Sequence, residues 1–219
     1  MARIGVIADT HCPEFLDDLP AGIFERLRGV DLILHGGDVG GAGGEETLRR
    51  LAEIAPVEAV HGDHDQGLEG LPGRRELTVE GRRIGIIHGN RSHLVEEPLT
   101  LLSTLSLGEV RVQPGHRRWL RSQFPDCEII VHGHTHIASA VEDGGVLFLN
   151  PGAVYQVRRP EMLRRLARGP SWFEWTWLQV TRYRRDQPYS TVGILELGRG
   201  TTRVTIHEIG PGLGPGRSW

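Results

Sequence analysis

Short apolar runs alternate with helical patterns over the first third of the chain. RIGVIA (3–8), DLILH (31–35) and VEAVH (57–61) are brief and rich in branched aliphatics, as buried strands are. AGIFERLRG (21–29) lies between the first two, with Pro20 suited to the first turn of a helix. EETLRRLAEIA (45–55) precedes the third and carries Leu48, Leu51, Ala52 and Ala55 at helical spacing. This β-α-β-α-β order predicts parallel strands joined by right-handed crossovers.

Beyond residue 70 the pattern changes to hairpins. RELTVEGRRIGIIH (75–88) turns at Glu80-Gly81, IASAVEDGGVLFLN (137–150) is a second hairpin and TVGILELGRGTTRVTIHEI (191–209) a third, with EIIVHG (128–133) a further buried strand. The expected architecture is α/β: two packed mixed sheets, a sandwich, flanked by helices. Two segments fit less well. Residues 92–124 hold a leucine-rich stretch and a short helix, HRRWLRSQF (116–124). Residues 158–188 combine arginines with Trp172, Phe173, Trp175 and Trp177, and read as an insertion between strands. The expected organisation is one domain over 1–210 containing that insertion, followed by a flexible Gly/Pro-rich tail, 211–219.

Composition narrows the class. The 219 residues are 38% hydrophobic and 24% charged, enough for a globular domain with its own core. No apolar run approaches the ~20 residues that span a bilayer, and the chain enters its first strand at once. A cytoplasmic location without membrane contact is expected. The net charge of -3 argues against nucleic acid as a partner, although the arginines of 158–185 leave room for a local basic patch. Two cysteines, Cys12 and Cys127, cannot form a disulfide framework in a chain of this size.

The eleven histidines matter because of where they fall. Asp9 and His11 follow the first strand as DTH, Asp38 follows the second within GGDV, and Asp63 and His64 follow the third within HGDHD. His88 follows GRRIGII, and His134 and His136 follow EIIV as GHTH. Ligands in open α/β sheets bind beyond the carboxyl ends of the strands. Five strand ends would therefore deliver three carboxylates and four histidines to one crevice, besides His64. Alternate side chains of Asp-x-His and His-x-His lie on one side of an extended segment. Carboxylate and imidazole suit Mn, Fe, Co, Ni or Zn, and seven donors exceed the needs of one ion.

The ordered set DTH, GGD, GDHD, HG and GHTH resembles the calcineurin-like metallophosphoesterase superfamily. LNPGAV (149–154) is similar to its small bacterial and archaeal phosphodiesterase branch. The resemblance implies a sandwich with a dinuclear centre of divalent transition metals, manganese foremost. By that similarity Asp9, His11 and His136 bind one ion, Asp63, His88 and His134 the other, and Asp38 bridges them. The implied activity is phosphoester hydrolysis, directed at small phosphodiesters, through in-line attack of a bridging hydroxide, with His64 as the leaving-group acid.

The family normally has asparagine where this chain has Asp63, which takes the formal charge of the metal shell from +1 to zero. Cys12 stands where relatives often have glycine; it is either a small loop residue or a group within reach of the metals. His35 and His132 lie in apolar runs and are expected in the core or behind the ligands. A protein-binding scaffold on the same fold and a nuclease remain as alternatives. The aromatic and arginine content of 158–188 is that of interface centres, so a homodimer through this segment is expected.

Overall fold

A computed structural model describes residues 1–92, 94–95, 98–99, 101–102, 114–157, 159–170, 172, 175, 178–179, 189–210 and 217–218. The chain divides into two compact units. The first joins Met1–Gly89, Arg117–Tyr155 and Ser190–Trp219; the second joins Asn90–His116 and Gln156–Tyr189, drawn from the two stretches whose pattern fits the strand order poorly.

The first unit contains both sheets. Strands β1 (Ala2–Ile7), β2 (Leu32–His35) and β3 (Val57–Ala59) run parallel, as their order predicts. On the other side of β1 lie β9 (Thr191–Gly198) and β10 (Thr201–Glu208), both antiparallel, giving the order β11-β10-β9-β1-β2-β3. The second sheet, β4-β5-β6-β8-β7, places β5 (Arg82–Ile87), β6 (Ile129–Val131) and β8 (Val146–Asn150) in parallel. The hairpin partners β4 (Arg74–Val79) and β7 (Ser139–Asp143) close its two edges. Glu80-Gly81 and Gly144-Gly145 take positive φ at both central positions, the geometry that matches strand twist in two-residue hairpins.

The period of two sorts each strand's side chains into layers. Ile4, Val6, Leu34, Leu195 and Leu197 of the first sheet meet Ile84, Ile86, Ile129, Val131 and Leu149 of the second in one buried cluster. Each such side chain contributes about 1.5–3 kcal/mol by leaving water. The opposite faces carry helices. Ile7, Ile33, Val192 and Ile194 pack with Ile23 and Leu27, at and just beyond α1 (Ala21–Arg26), and with Leu51 of α2 (Gly44–Ala52). Ile87, Ile130 and Phe148 pack with Leu120 and Phe124, in and just beyond α3 (His116–Gln123).

The elements differ from the sequence pattern in three places. Pro20 is the N-cap of α1 rather than its first helical residue. In α2 the predicted core residue Ala52 is exposed, and Thr47 takes an inward position because its hydroxyl donates to the Cys12 carbonyl at 2.6 Å. Arg217–Ser218 of the tail forms a two-residue strand, β11, antiparallel to β10; 211–216 and 219 lie outside the described residues.

The second unit contains α4 (Arg159–Ala167). Among its described residues Met162 and Leu178 are buried, while Leu163, Trp172 and Trp175 are exposed. Phe173, Trp177 and all of 180–188 lie outside the described residues, and the expected homodimer contact falls largely on them. Among the described residues no helix is long and apolar enough to cross a membrane.

Glycine sets how closely α3 approaches the second sheet. A Cβ on Gly85 would meet the Phe124 ring at 2.5 Å. Gly85→Ala is expected to destabilise the protein by about 1–3 kcal/mol, the usual cost of overpacking a core. Urea unfolding checks this, and Phe124→Leu in the same chain should restore part of the loss. Unchanged stability in Gly85→Ala would mean that the helix has room to move.

Candidate metal centre

The seven side chains expected to hold metal come from five loops, each following a parallel strand. Asp9 and His11 follow β1, Asp38 follows β2, Asp63 follows β3, His88 follows β5, and His134 and His136 follow β6. The two sheets bring these loops together where Gly36, Gly133 and Ala8 meet; a Cβ on Gly36 would lie 3.2 Å from Ala8 and 3.3 Å from the Gly133 nitrogen. Donor atoms of Asp9, His11 and His136 lie within 4.8 Å of one another, as do those of Asp63, His88 and His134. Asp9, Asp38 and His88 form a further such group, so Asp38 stands between the two triads.

The backbone at this centre is unusual. Asp9 (φ 51°), His11 (45°), Asp38 (55°), His134 (66°) and His136 (56°) are all left-handed, and the only other non-glycine residue so described is the hairpin residue Glu80. Such conformations cost about 1–3 kcal/mol each and persist where surrounding contacts enforce them. Here the contacts are visible. The His64 N–H donates to Asp38 Oδ1 at 2.9 Å, and the His134 N–H to Asp9 Oδ1 at 3.1 Å. Gly37 admits the His88 ring, since a Cβ there would lie 2.7 Å from Nδ1.

The electrostatics of the centre favour positive charge. His88 Nδ1 donates to the Gly36 carbonyl at 2.8 Å, which fixes the hydrogen on that nitrogen because a carbonyl only accepts. Nε2 then faces Asp63 Oδ1 at 2.9 Å, Asp38 Oδ2 at 3.3 Å and Asp9 Oδ1 at 4.0 Å. It makes no hydrogen bond of acceptable geometry, and Asp9 Oδ2 is likewise buried without a partner. A neutral imidazole would aim its lone pair at three carboxylates. Burial lowers the pKa of His88, but Asp38, Asp63 and Asp9 outweigh it and raise the pKa well above the usual histidine range. Burial pushes Asp9 well above the carboxylate range. Burial also raises Asp38, yet His88 overcomes it and brings the carboxyl to about 2. Asp63 is lowered too, because the His134 and His88 rings beside it outweigh its burial.

Three residues that support the site have no signal in spacing. Asp65 accepts from the N–H groups of Val39 (2.7 Å), Gly40 (3.1 Å) and Gly41 (3.4 Å) through Oδ1, and from Gly62 (2.9 Å) through Oδ2. It ties the loop bearing Asp38 to the loop bearing Asp63. Glu14 takes His11 Nδ1 at 2.9 Å on one oxygen and His64 Nδ1 at 3.1 Å on the other. Partial burial raises Glu14, but these two hydrogen bonds prevail and hold its carboxyl below the usual range. Asn150, in the LNPGAV stretch, donates to the Gly133 carbonyl (2.8 Å) and Thr135 Oγ1 (3.0 Å), fixing the GHTH loop.

The secondary histidines behave as their apolar settings suggest. His35 is buried, with Nε2 on Thr10 Oγ1 at 3.0 Å and Nδ1 accepting the Gly37 N–H at 3.2 Å; burial lowers its pKa to about 4. His132 is buried, with Nδ1 3.2 Å from the Asn150 amide nitrogen. Cys12 packs with Leu19, Ile23 and Leu27, in the apolar cluster behind the loop.

A family model for the calcineurin-like phosphoesterase superfamily domain matches residues 2–164. The chain belongs to this superfamily. A probable metallophosphoesterase of Methanothermobacter thermautotrophicus is 33% identical over 152 residues, covering 68% of this chain and 76% of the relative. Among solved structures, vacuolar protein sorting 29 from Cryptosporidium parvum is similar with a TM-score of 0.68 at 19% identity, over 100% of this chain and 96% of that one. A zinc complex of Vps29 from Entamoeba histolytica has a TM-score of 0.66 at 22% identity, over 99% and 98%. The sandwich is thus the calcineurin-like fold, and membership implies divalent metal ions. The donors fit them: hard oxygens and imidazoles in two triads, no thiolate among them, and two buried polar atoms lacking partners.

Asp65 offers a test of how the loops are held. In Asp65→Asn the amide keeps one acceptor oxygen for four N–H groups, so at least one is left unpaired. A loss of about 1–3 kcal/mol is expected in urea unfolding, with weaker metal binding in calorimetry. A variant of parental stability and metal affinity would remove Asp65 from this role.

Proposed function

We propose that this calcineurin-like phosphoesterase hydrolyses phosphodiesters at a centre of two divalent metal ions. Asp9, His11 and His136 hold one ion, Asp63, His88 and His134 the other, and Asp38 is shared. The observation that carries the reading is the His88 nitrogen facing three carboxylates, a geometry that asks for bound cations. When bound, such a pair supplies an activated water and neutralises phosphoryl oxygens for in-line displacement. Manganese is the first choice for an oxygen- and imidazole-rich shell, with Fe, Co, Ni and Zn compatible.

The protein's own groups do the rest. Nδ1 of His11 on Glu14 turns its Nε2 toward Asp38, 3.6 Å away. His64 is half exposed beside the centre, with a ring nitrogen within 4.8 Å of carboxylate oxygens of Asp38 and Asp63. Its Nδ1 is engaged by Glu14, which leaves Nε2 to give a proton to the departing alcohol oxygen. Burial lowers the pKa of His64, but Glu14, Asp38 and Asp63 outweigh it and raise the pKa, which keeps the ring protonated closer to neutrality. A water oxygen bonds to phosphorus and gives up a proton to solvent, the bond from phosphorus to the alcohol oxygen breaks, and that oxygen takes the His64 proton, which solvent then replaces. A second reading, a protein-binding scaffold, draws on the likeness to vacuolar protein sorting 29 over the whole chain.

Chelation should abolish turnover of a nitrophenyl phosphodiester, and Mn²⁺ should restore it. Asp38→Ala should lose more than the about 10–100-fold typical of an outer-shell partner, with less metal retained by elemental analysis. Full activity in excess chelator or in Asp38→Ala would overturn the two-metal centre, whereas weak turnover in saturating Mn²⁺ would favour the scaffold reading.

His64→Ala is expected to slow alkyl phosphodiesters by about 10²–10⁴-fold. Nitrophenyl esters should lose much less, because nitrophenolate departs without a proton. Equal losses on both would falsify the assignment of His64.

A further inference from the structure

A cavity of about 580 Å³ opens beside His64, lined by Pro13, Glu14, Gly40, Gly41, Ala42, Asp63, His64 and Gln66. Its volume is within the range of small-molecule sites. Two features specify what it can hold. The first is position. His64, the proposed donor to the departing oxygen, and Asp63, a proposed ligand, share its wall, so it lies on the leaving-group side of the reacting phosphorus.

The second is charge. The chain has no lysine, and among the described residues no arginine lines this cavity. Its ionisable wall consists of two carboxylates and the His64 ring, and Glu14 is already engaged by two imidazoles. The N–H groups of Gly40 and Gly41 point away to Asp65 and offer no cradle for a second phosphate. Gln66 is exposed, and among the described residues its side chain makes no hydrogen bond, so its amide can meet a hydroxyl.

We infer that this cavity is a leaving-group subsite for an uncharged or cationic alcohol, and that it rejects alcohols bearing a further phosphate. The inference rests on the phosphoesterase reading and adds its substrate class: simple diesters of polyols or amino alcohols, rather than nucleoside diphosphates or other pyrophosphates. A second anionic group here would face Glu14 with no arginine among the described residues of the wall to offset it.

The test uses Mn²⁺-loaded full-length protein and the methyl phosphodiesters of choline, glycerol and glycerol 3-phosphate, with their slowly hydrolysed thiophosphate analogues for calorimetry. The choline and glycerol analogues should bind at least about tenfold more tightly than the glycerol phosphate analogue, equivalent to about 1.4 kcal/mol. Ala42→Arg places a cation at the exposed rim and should move the ratio of glycerol phosphate to glycerol affinity at least about tenfold toward the anion. Equal or tighter binding of the anionic analogue by the parent protein overturns the inference, as does binding of none of the three or an unmoved ratio in Ala42→Arg. Binding in the expected order without turnover of any diester sustains the subsite and removes the phosphoesterase reading. Turnover with an anionic preference does the reverse.

Discussion

Three carboxylates converge on one buried imidazole, and the rest of the centre is arranged around that concentration of negative charge. Asp9, Asp38 and Asp63 each approach His88 Nε2, while its other nitrogen is committed to the Gly36 carbonyl. Water cannot dilute the repulsion, because Asp9, Asp38 and His88 are buried. A proton on His88 relieves it in part, and divalent cations relieve it more completely. The third carboxylate, Asp63, deepens the same requirement.

Holding such groups together costs conformational energy as well. Left-handed backbone at Asp9, His11, Asp38, His134 and His136 turns side chains into one space that a smoothly continued strand would send apart. The interlocked sheets enforce it. Backbone N–H groups of one loop bind the carboxylate of another, from His64 to Asp38 and from His134 to Asp9. Asp65 and Asn150 fasten these loops further, and neither reaches the centre itself. The core between the sheets and the geometry of the site are therefore mechanically linked: a shift of one sheet against the other would move candidate ligands that belong to both.

Glu14 joins two roles that might otherwise be independent. One oxygen orients His11 toward the carboxylates, and the other orients His64 at the mouth of the cavity. Any reorientation of Glu14 would disturb a proposed ligand and the proposed proton donor at once. The aromatic surroundings restrict that movement, since His11 lies against Phe15, His64 and Tyr155 with ring centroids 4.9–5.5 Å apart.

The strand order, the hairpin turns and the seven converging donors were legible in the sequence because each rests on local rules. Burial imposes a period of two, hairpin turns demand positive φ, and ligands follow parallel strands at their carboxyl ends. Motif order also carried the family. What sequence could not convey depends on contacts across long separations. Glu14 reaches His64 fifty residues away, and Asp65 caps a loop twenty-six residues before it. Neither has a periodic or spacing signature, because a single side-chain contact leaves none. The inward Thr47, the exposed Ala52 and the burial of Cys12 in an apolar cluster were likewise decided by what packs opposite them. Local chemistry determined which groups assemble, and tertiary packing alone decided their orientation, their protonation and the charge of the cavity beside them.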